Sequence, residues 1–386
     1  MVYGINKAIV ELCTTGHHPV YLKHILEYFK NKKGLENRYF FVLNAYYKDM
    51  YSSHIDSIDA EFFFFSQAQI DKLFDGNMMF VSAKLTHFIN NFSKKHNIKE
   101  VILMDMNIYQ FGLLFTHEIN YKGIVFSQYF RQNRSKSLYE KIRYFKRELL
   151  VRFLIKKKNI KCIYFLNDLK GVDYENRKLN TDKLKSLIDP VEQFDYDNII
   201  DVKFHYSIPR EDKVFLHYGS FDERKGSELI LDCLLEMDES LFKGNTLIFA
   251  GKTNNVLLEK KINEKILSII DKGLNVVYIN KYIDKLTTES IFMASDYVLC
   301  PYKSIEASSG NVGLAIASNT IIIGPNSGLL GSLINETGLG ITIDEINKKS
   351  LCGTIKTLFI DEKINRISIV RLESRSPNLF VENIIY

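Results

Sequence analysis

Lys225 and Glu306 stand in the two stretches of this 386-residue chain best suited to gripping a small anionic ligand. In the first, Leu216-His217-Tyr218-Gly219-Ser220-Phe221-Asp222-Glu223-Arg224-Lys225-Gly226, an apolar run stops at Gly219 and a helical pattern follows Gly226. Backbone donors and the cations Arg224 and Lys225, gathered at a strand-to-helix turn, suit a phosphate. The same residues also make an ordinary solvated turn before a helix. In the second stretch, 301–315, an apolar run gives way to Glu306, then to Ser308-Ser309-Gly310-Asn311-Val312-Gly313 and another helical pattern. Free N–H groups at that helix start would favour an anion, and Glu306 could accept hydrogen bonds from hydroxyls. A lone carboxylate there is equally an ordinary surface charge.

The first half offers smaller signals. Thr14-Thr15-Gly16-His17-His18 follows the first apolar run and precedes a helix starting near Val20. Gly16 would let backbone approach a ligand, and His17 and His18 offer two imidazoles. The alternative is a plain turn with two exposed imidazoles. Asp105 ends the apolar run 101–104, and Ser127-Gln128-Tyr129 ends 123–126. Asp195-Tyr196-Asp197 matches a D-x-D metal pattern but sits in an irregular stretch, where it reads as an exposed acidic turn.

These residues need strand ends to hold them. Apolar runs at 214–217, 247–250, 276–279, 297–300, 320–323 and 341–343 predict strands, with helices over 228–237, 257–270 and 287–294 between them. Near-continuous apolar strands alternating with amphipathic helices predict a doubly wound α/β domain with ligands at the carboxyl ends of its strands. The first half repeats this less cleanly: strands at 8–13, 39–43, 101–104, 123–126 and 162–166, helices over 20–30, 83–96 and 138–155. The length suits two domains. The stretch 183–212, with no strong period and with Pro190 and Pro209, predicts the connection. The expected division is 1–185 for the first domain and 186–364 for the second, with a terminal helix in 365–386 returning to the first. The cleft between them is the default site.

A composition of 46% hydrophobic and 25% charged residues is globular. The five cysteines are scattered and predict neither a zinc site nor a disulfide framework. No secretory leader is expected from 1–20, and no apolar run approaches the roughly 18 residues of a membrane span. A cytoplasmic protein is expected. The net charge of +5 is concentrated at 134–161, where Lys136, Lys141, Arg143, Lys146, Arg147, Arg152, Lys156, Lys157 and Lys158 face only Glu140 and Glu148. Leu138, Ile142, Phe145, Leu149 and Phe153 recur there at helical spacing. Such a segment is either a peripheral membrane-surface helix at the inner face or a domain helix with that stripe in the core. Nucleic acid is not expected, since no stacking platform accompanies the charge.

The spacing Gly219…Lys225-Gly226, Phe249-Ala250-Gly251, Ala294-Ser295-Asp296-Tyr297…Pro301…Glu306 and Gly324…Gly328 resembles the C-terminal domain of retaining glycosyltransferases of family 4. The resemblance covers about 214–344 and implies the GT-B fold: α/β, two facing Rossmann-like doubly wound domains. It implies a UDP- or GDP-linked nucleotide-sugar donor, no metal requirement, and a glycan or lipid-linked acceptor. By that resemblance Lys225, with Gly219, Ser220 and Arg224, binds the donor diphosphate. Glu306 contacts the donor sugar as the catalytic acid position, and Ser309, Gly310, Asn311, Val312 and Gly313 supply backbone N–H groups. Gly16, His17, His18 and Asp105 fall on the acceptor side, and Gln128 stands near a position where many members carry a catalytic His. The ending around 377–385, with Phe380 and Ile384, resembles the family's helical crossover back to the first domain.

Two departures are visible. The family usually has Arg directly after the first Gly, where this chain has Ser220 with Arg224 nearby. It also has a second Glu eight residues after the first, holding the ribose, where this chain has Leu314. The sequence therefore supports a hexosyl- or related transferase, retaining by resemblance, in cell-envelope polysaccharide or glycoconjugate synthesis. A catalytically silent GT-B partner subunit or sugar-binding module is the alternative, and a nucleotide-sugar epimerase of the same fold a third.

Overall fold

The computed structural model describes residues 4–126, 128–131, 138–303, 310–361 and 375–386. The chain divides into two compact units, Met1–Pro190 with Ser374–Tyr386, and Val191–Glu373.

In the first unit seven strands form one parallel sheet: β1 (Asn6–Glu11), β2 (Arg38–Asn44), β3 (Glu61–Phe65), β4 (Glu100–Leu103), β5 (Asn120–Val125), β6 (Ile160–Leu166) and β7 (Leu184–Leu187). Their order is β3-β2-β1-β4-β5-β6-β7. Alternate residues serve opposite faces, as period 2 demands. Ala8 and Val10 pack into the core beneath the helices Met78–Lys95 and Leu138–Lys156, while Ile9 packs with the helices His18–Asn31 and Pro377–Ile385. The terminal helix is fastened there by Lys7 Nζ, which donates to the Ile385 carbonyl at 2.9 Å.

The second unit carries six parallel strands: β8 (Lys213–Ser220), β9 (Asn245–Lys252), β10 (Asn275–Asn280), β11 (Tyr297–Leu299), β12 (Ile321–Pro325) and β13 (Gly340–Ile343), in the order β10-β9-β8-β11-β12-β13. Helices Ser227–Glu236, Val256–Asp271 and Lys348–Ile360 cover one face, and Lys285–Ala294, Gly310–Ser318 and Gly328–Thr337 the other. In each sheet the strand order reverses once, between β1 and β4 and between β8 and β11. A crevice opens at such a switch point, outside the carboxyl ends of the strands, and ligands of doubly wound sheets bind there.

One strand was not expected from the sequence, and two sequence expectations need correction. The edge strand β3, Glu-Phe-Phe-Phe-Phe, has no alternation, and all five residues are half-buried, so its pattern named no face. The stretch 183–212 is not uniformly irregular: β7 pairs with β6 through Ile163↔Leu184 to Leu166↔Leu187, and Val202–His205 is a helical turn. The second correction concerns the helix Leu138–Lys156. It buries Tyr144, Val151, Leu154 and Ile155, whereas the regular stripe of Leu138, Ile142, Phe145, Leu149 and Phe153 is exposed. The helix is apolar on two faces, and the more regular one is not the core face. Among the described residues no helix is long and apolar enough to cross a membrane.

Candidate active site

In the second unit β8 ends at the switch point with Gly219 in a left-handed conformation (φ 116°) that a β-carbon would strain. The chain then loops through Asp222 and returns, because the Lys225 N–H donates to Asp222 Oδ1 at 2.7 Å. This brings the Lys225 ammonium against Gly219, where any β-carbon would collide with it. Gly226 starts the helix Ser227–Glu236 and lies so close to Pro301 that a side chain there would meet the Pro301 carbonyl at 2.7 Å. Lys303 closes the junction, its N–H donating to the Arg224 carbonyl at 2.9 Å. The loops after β8 and β11 are thus one joined structure.

Lys225 is half-buried, and its ammonium stands 5.7 Å from the ring centroid of the buried Tyr302. Burial lowers its pKa, opposed by the neighbouring Cys300 thiol and reinforced by Arg224. No carboxylate among the described residues forms an ion pair with it. A half-buried cation without an anionic partner costs free energy that an incoming anion would offset. Arg224 is exposed and 3.3 Å from Asp222 Oδ2, so it lies at the rim. Ser220 is exposed at the strand end. A groove of about 600 Å³ opens beside this loop, lined by the acids Asp222, Glu223, Glu228 and Asp232 and the cations Lys261 and Lys303. Its four acids outnumber its two cations, so it suits a diphosphate less well than the position at Lys225.

His217, a strand residue with no exposure, pins the loop from beneath. Its Nδ1–H donates to the Leu299 carbonyl at 3.1 Å, which leaves Nε2 to accept from Ser227 Oγ at 2.8 Å. Burial pushes its pKa down to about 4, so the ring is neutral at physiological pH. On the other side Asn311 Nδ2 donates to the Tyr218 carbonyl at 3.3 Å and to Tyr302 Oη at 3.1 Å. It ties the start of the helix Gly310–Ser318 to the end of β8. Gly310 opens that helix, Asn311 and Val312 are buried and Gly313 is half-buried. Leu314 is half-buried against the core of the unit. Glu306 and Ser309 lie outside the described residues.

The first unit has its own cluster at the β1/β4 switch point. Glu11, the last residue of β1, is 2% exposed and accepts from His18 Nδ1–H at 2.7 Å and from the Cys13 N–H at 2.9 Å. The other ring nitrogen of His18 stands 4.0 Å from Asp105 Oδ2. Asp105 in turn accepts from the N–H and Nδ2 of Asn107 at 2.9 and 2.7 Å. Burial raises the Glu11 pKa against the pull of His18, and raises that of Asp105 against its Asn107 bonds. For His18 burial works against the charged ring, but the Glu11 carboxylate outweighs it and the pKa rises. A carboxylate that orients an imidazole is part of a general-base arrangement, and here the second nitrogen faces Asp105. Glu11, Cys13 and His18 also bring three donor atoms within 4.8 Å. Burial holds the Cys13 thiol at a pKa of about 12, however, which makes it a poor metal ligand at neutral pH.

The other sequence candidates fall at varied distances from these clusters. Gly16 is exposed in the loop, and His17 is exposed and stacks on Tyr21 at 5.7 Å. His18 is not the exposed imidazole that a plain turn would give. Gln128 is 1% exposed, and its Nε2 donates to the Leu166 carbonyl at 2.5 Å. Gln128 thus packs between β5 and β6, with its Oε1 buried and unpaired among the described residues. Asp195 and Asp197 are exposed around the short helix Tyr196–Asn198. Glu11 and Tyr302 were not singled out from sequence. A carboxylate closing a strand otherwise buried was a signal for Glu11, whereas Tyr302 reads as one more aromatic.

No protein-family model matches the chain, and no curated protein matches it. Solved structures do. The structure of Anabaena Alr3699/HepE in complex with UDP and glucose has a TM-score of 0.63 and 11% identity, covering 99% of this chain and 95% of its own. A glycosyltransferase from Rickettsia africae ESF-5 is similar at a TM-score of 0.63 and 15% identity, covering 98% and 94%. The S. aureus MnaA-UDP co-structure matches at 0.61 and 12%, covering 99% and 95%. At such identities the likeness speaks for the fold, which is GT-B: two Rossmann-like α/β domains.

Proposed function

We propose that the chain is a glycosyltransferase that takes a sugar from a nucleotide-sugar donor, UDP- or GDP-linked, whose diphosphate sits at Lys225. The observation that carries this is the half-buried Lys225 ammonium, folded against Gly219 at the β8/β11 switch point with no ion-paired carboxylate among the described residues. The fold shared with structures holding UDP supports the same reading. Lys225 and the start of the helix Ser227–Glu236 would neutralise the charge that develops on the departing diphosphate. Gly310, Asn311, Val312 and Gly313, with Ser309, would supply N–H groups, and Glu306 would hold the donor sugar. On this reading transfer retains the anomeric configuration and needs no metal. The acceptor is a glycan or lipid-linked glycan at the inner face of a membrane, in envelope polysaccharide or glycoconjugate synthesis.

One observation favours a second stereochemical course. His18, held by Glu11, could take the proton of an acceptor hydroxyl. The freed oxygen would attack the anomeric carbon opposite the nucleoside diphosphate, which departs with the bonding electron pair, giving inversion. A panel of nucleotide sugars in thermal shift tests the donor, because a ligand of the folded state raises stability by an amount that grows with the logarithm of its concentration over its dissociation constant. Proton NMR of the product anomer then separates retention from inversion. Failure of every UDP- and GDP-sugar to bind at millimolar concentration would leave the silent-partner alternative.

A further inference from the structure

The helix Leu138–Lys156 presents an apolar surface that is exposed among the described residues. Leu138, Ile142, Phe145, Leu149 and Phe153 are 75%, 46%, 63%, 38% and 50% exposed. At 3.6 residues per turn these five fall in one stripe about 80° wide. Lys141 lies along one edge of the stripe, Lys146 along the other and Lys156 at its end, all three exposed. Arg152, beside Lys141, is engaged with Glu148 at 2.7 Å. The opposite face anchors the helix, through buried Val151, Leu154 and Ile155, to the same core as the helix Met78–Lys95. That neighbour exposes Met78, Met79 and Phe80 at its start.

A continuous exposed apolar stripe on a firmly packed helix marks an interaction site. We propose that this face of the first unit rests on an anionic lipid surface, the stripe entering the headgroup–acyl boundary and the lysines meeting lipid phosphates. Charge complementarity selects this occupant. A second copy of the chain would set each row of lysines against another. The stripe offers bases no hydrogen-bonding group, and only Phe145 and Phe153 of its five residues could stack on them, so nucleic acid fits it less well than lipid and is kept as an outcome of the test. The inference deepens the lipid-linked acceptor reading and rests on it for its setting, but the contact itself requires no donor sugar.

The test is co-sedimentation of the full chain, without nucleotide, with vesicles of phosphatidylcholine alone or mixed with phosphatidylglycerol, at low and high salt. Strong binding to the anionic vesicles that fades above about 0.1 M salt is expected, since exposed charges are then screened over roughly 10 Å. Each lysine near such a surface contributes about five-fold. The triple change Lys141→Gln, Lys146→Gln and Lys156→Gln should therefore weaken binding on the order of a hundred-fold. Phe145→Ser with Phe153→Ser should weaken it at least about ten-fold with an unchanged melting temperature, both rings being exposed. Equal binding to neutral vesicles, no binding, or either variant binding like the parent overturns the proposal. A stripe-dependent dimer in sedimentation velocity, or tighter binding to duplex RNA than to the vesicles, overturns it as well. Loss of lipid binding with donor binding intact would sink this inference alone. Loss of donor binding with lipid binding intact would sink the transferase reading alone.

Discussion

His18 donates from Nδ1 to the buried carboxylate of Glu11 at 2.7 Å, across the loop that joins the first strand to the first helix. The bond fixes the ring and opposes the burial that would otherwise depress its pKa. In Glu11→Gln the burial remains and the carboxylate charge is gone. The His18 pKa, raised in the parent, should then fall, Asp105 being the acid left beside the ring, as followed by proton NMR of the ring. The sign for stability follows by linkage: a raised His pKa contributes stability present below pH 6.5 and lost as pH rises through the folded value. That portion of the pH dependence should vanish in the variant. A His18 titration unmoved by the change would mean that Glu11 does not govern the ring.

Lys225→Ala should weaken nucleoside diphosphate binding about ten-fold or more, since charge-assisted contacts to phosphate are among the stronger hydrogen bonds. The melting temperature should stay or rise slightly, because among the described residues the ammonium has no ion-paired carboxylate to lose. Gly219→Ala should behave differently. The added methyl meets φ 116° and the Lys225 ammonium together, so stability should drop by roughly 1–2 kcal/mol and binding should fall with it. Calorimetric titration with UDP and GDP beside a thermal melt reads both quantities. Unchanged affinity in both variants would remove the anion from this loop.

His217 makes a prediction about acid. Its folded pKa of about 4 lies below the ordinary 6.5, so the unfolded chain binds more protons between those values. Stability is fully present above pH 6.5 and is lost as pH falls toward 4, by up to about 3 kcal/mol at one shift unit per 1.36 kcal/mol. His217→Gln should be less stable at neutral pH, because the Leu299 and Ser227 bonds are imperfectly replaced, yet lose less on acidification. Chemical denaturation between pH 4 and 7 would show two parallel curves if His217 were not the titrating group.

The second sheet was legible because β8, β9 and β12 are buried on both faces, so their apolar runs are nearly unbroken and end where the chemistry begins. Both edge strands of the first sheet were not, because β3 is uniformly half-buried and β7 is four residues long. Lys225 could be found from its place after a strand and before a helix. Glu11 could not be assigned a role, since its partner lies seven residues on and only the turn through Gly16 brings them together. The stripe of the helix Leu138–Lys156 shows the limit of periodicity: it reports an apolar face and not what covers that face.

Leu314 separates a working transferase from a silent partner. Its side chain packs half-buried against the core of the second unit on the helix Gly310–Ser318, so it has a structural role that the Glu of the resembled family would lack. A Glu placed here would desolvate a carboxylate in part and abandon apolar contacts. Leu314→Glu should therefore lose about 1–3 kcal/mol of stability and gain no nucleotide affinity, while Leu314→Ala loses a similar amount through its cavity alone. If the parent binds a nucleotide sugar with its ribose held by another group, both variants should keep the parent's affinity for the nucleotide once folded. If the site has decayed, neither parent nor variant binds any donor. Tighter binding by Leu314→Glu without loss of stability would show that an acid belongs at this position and that its absence impairs the enzyme. Melting curves and titrations on the three proteins, with the donor that first shifts the parent, decide among these outcomes.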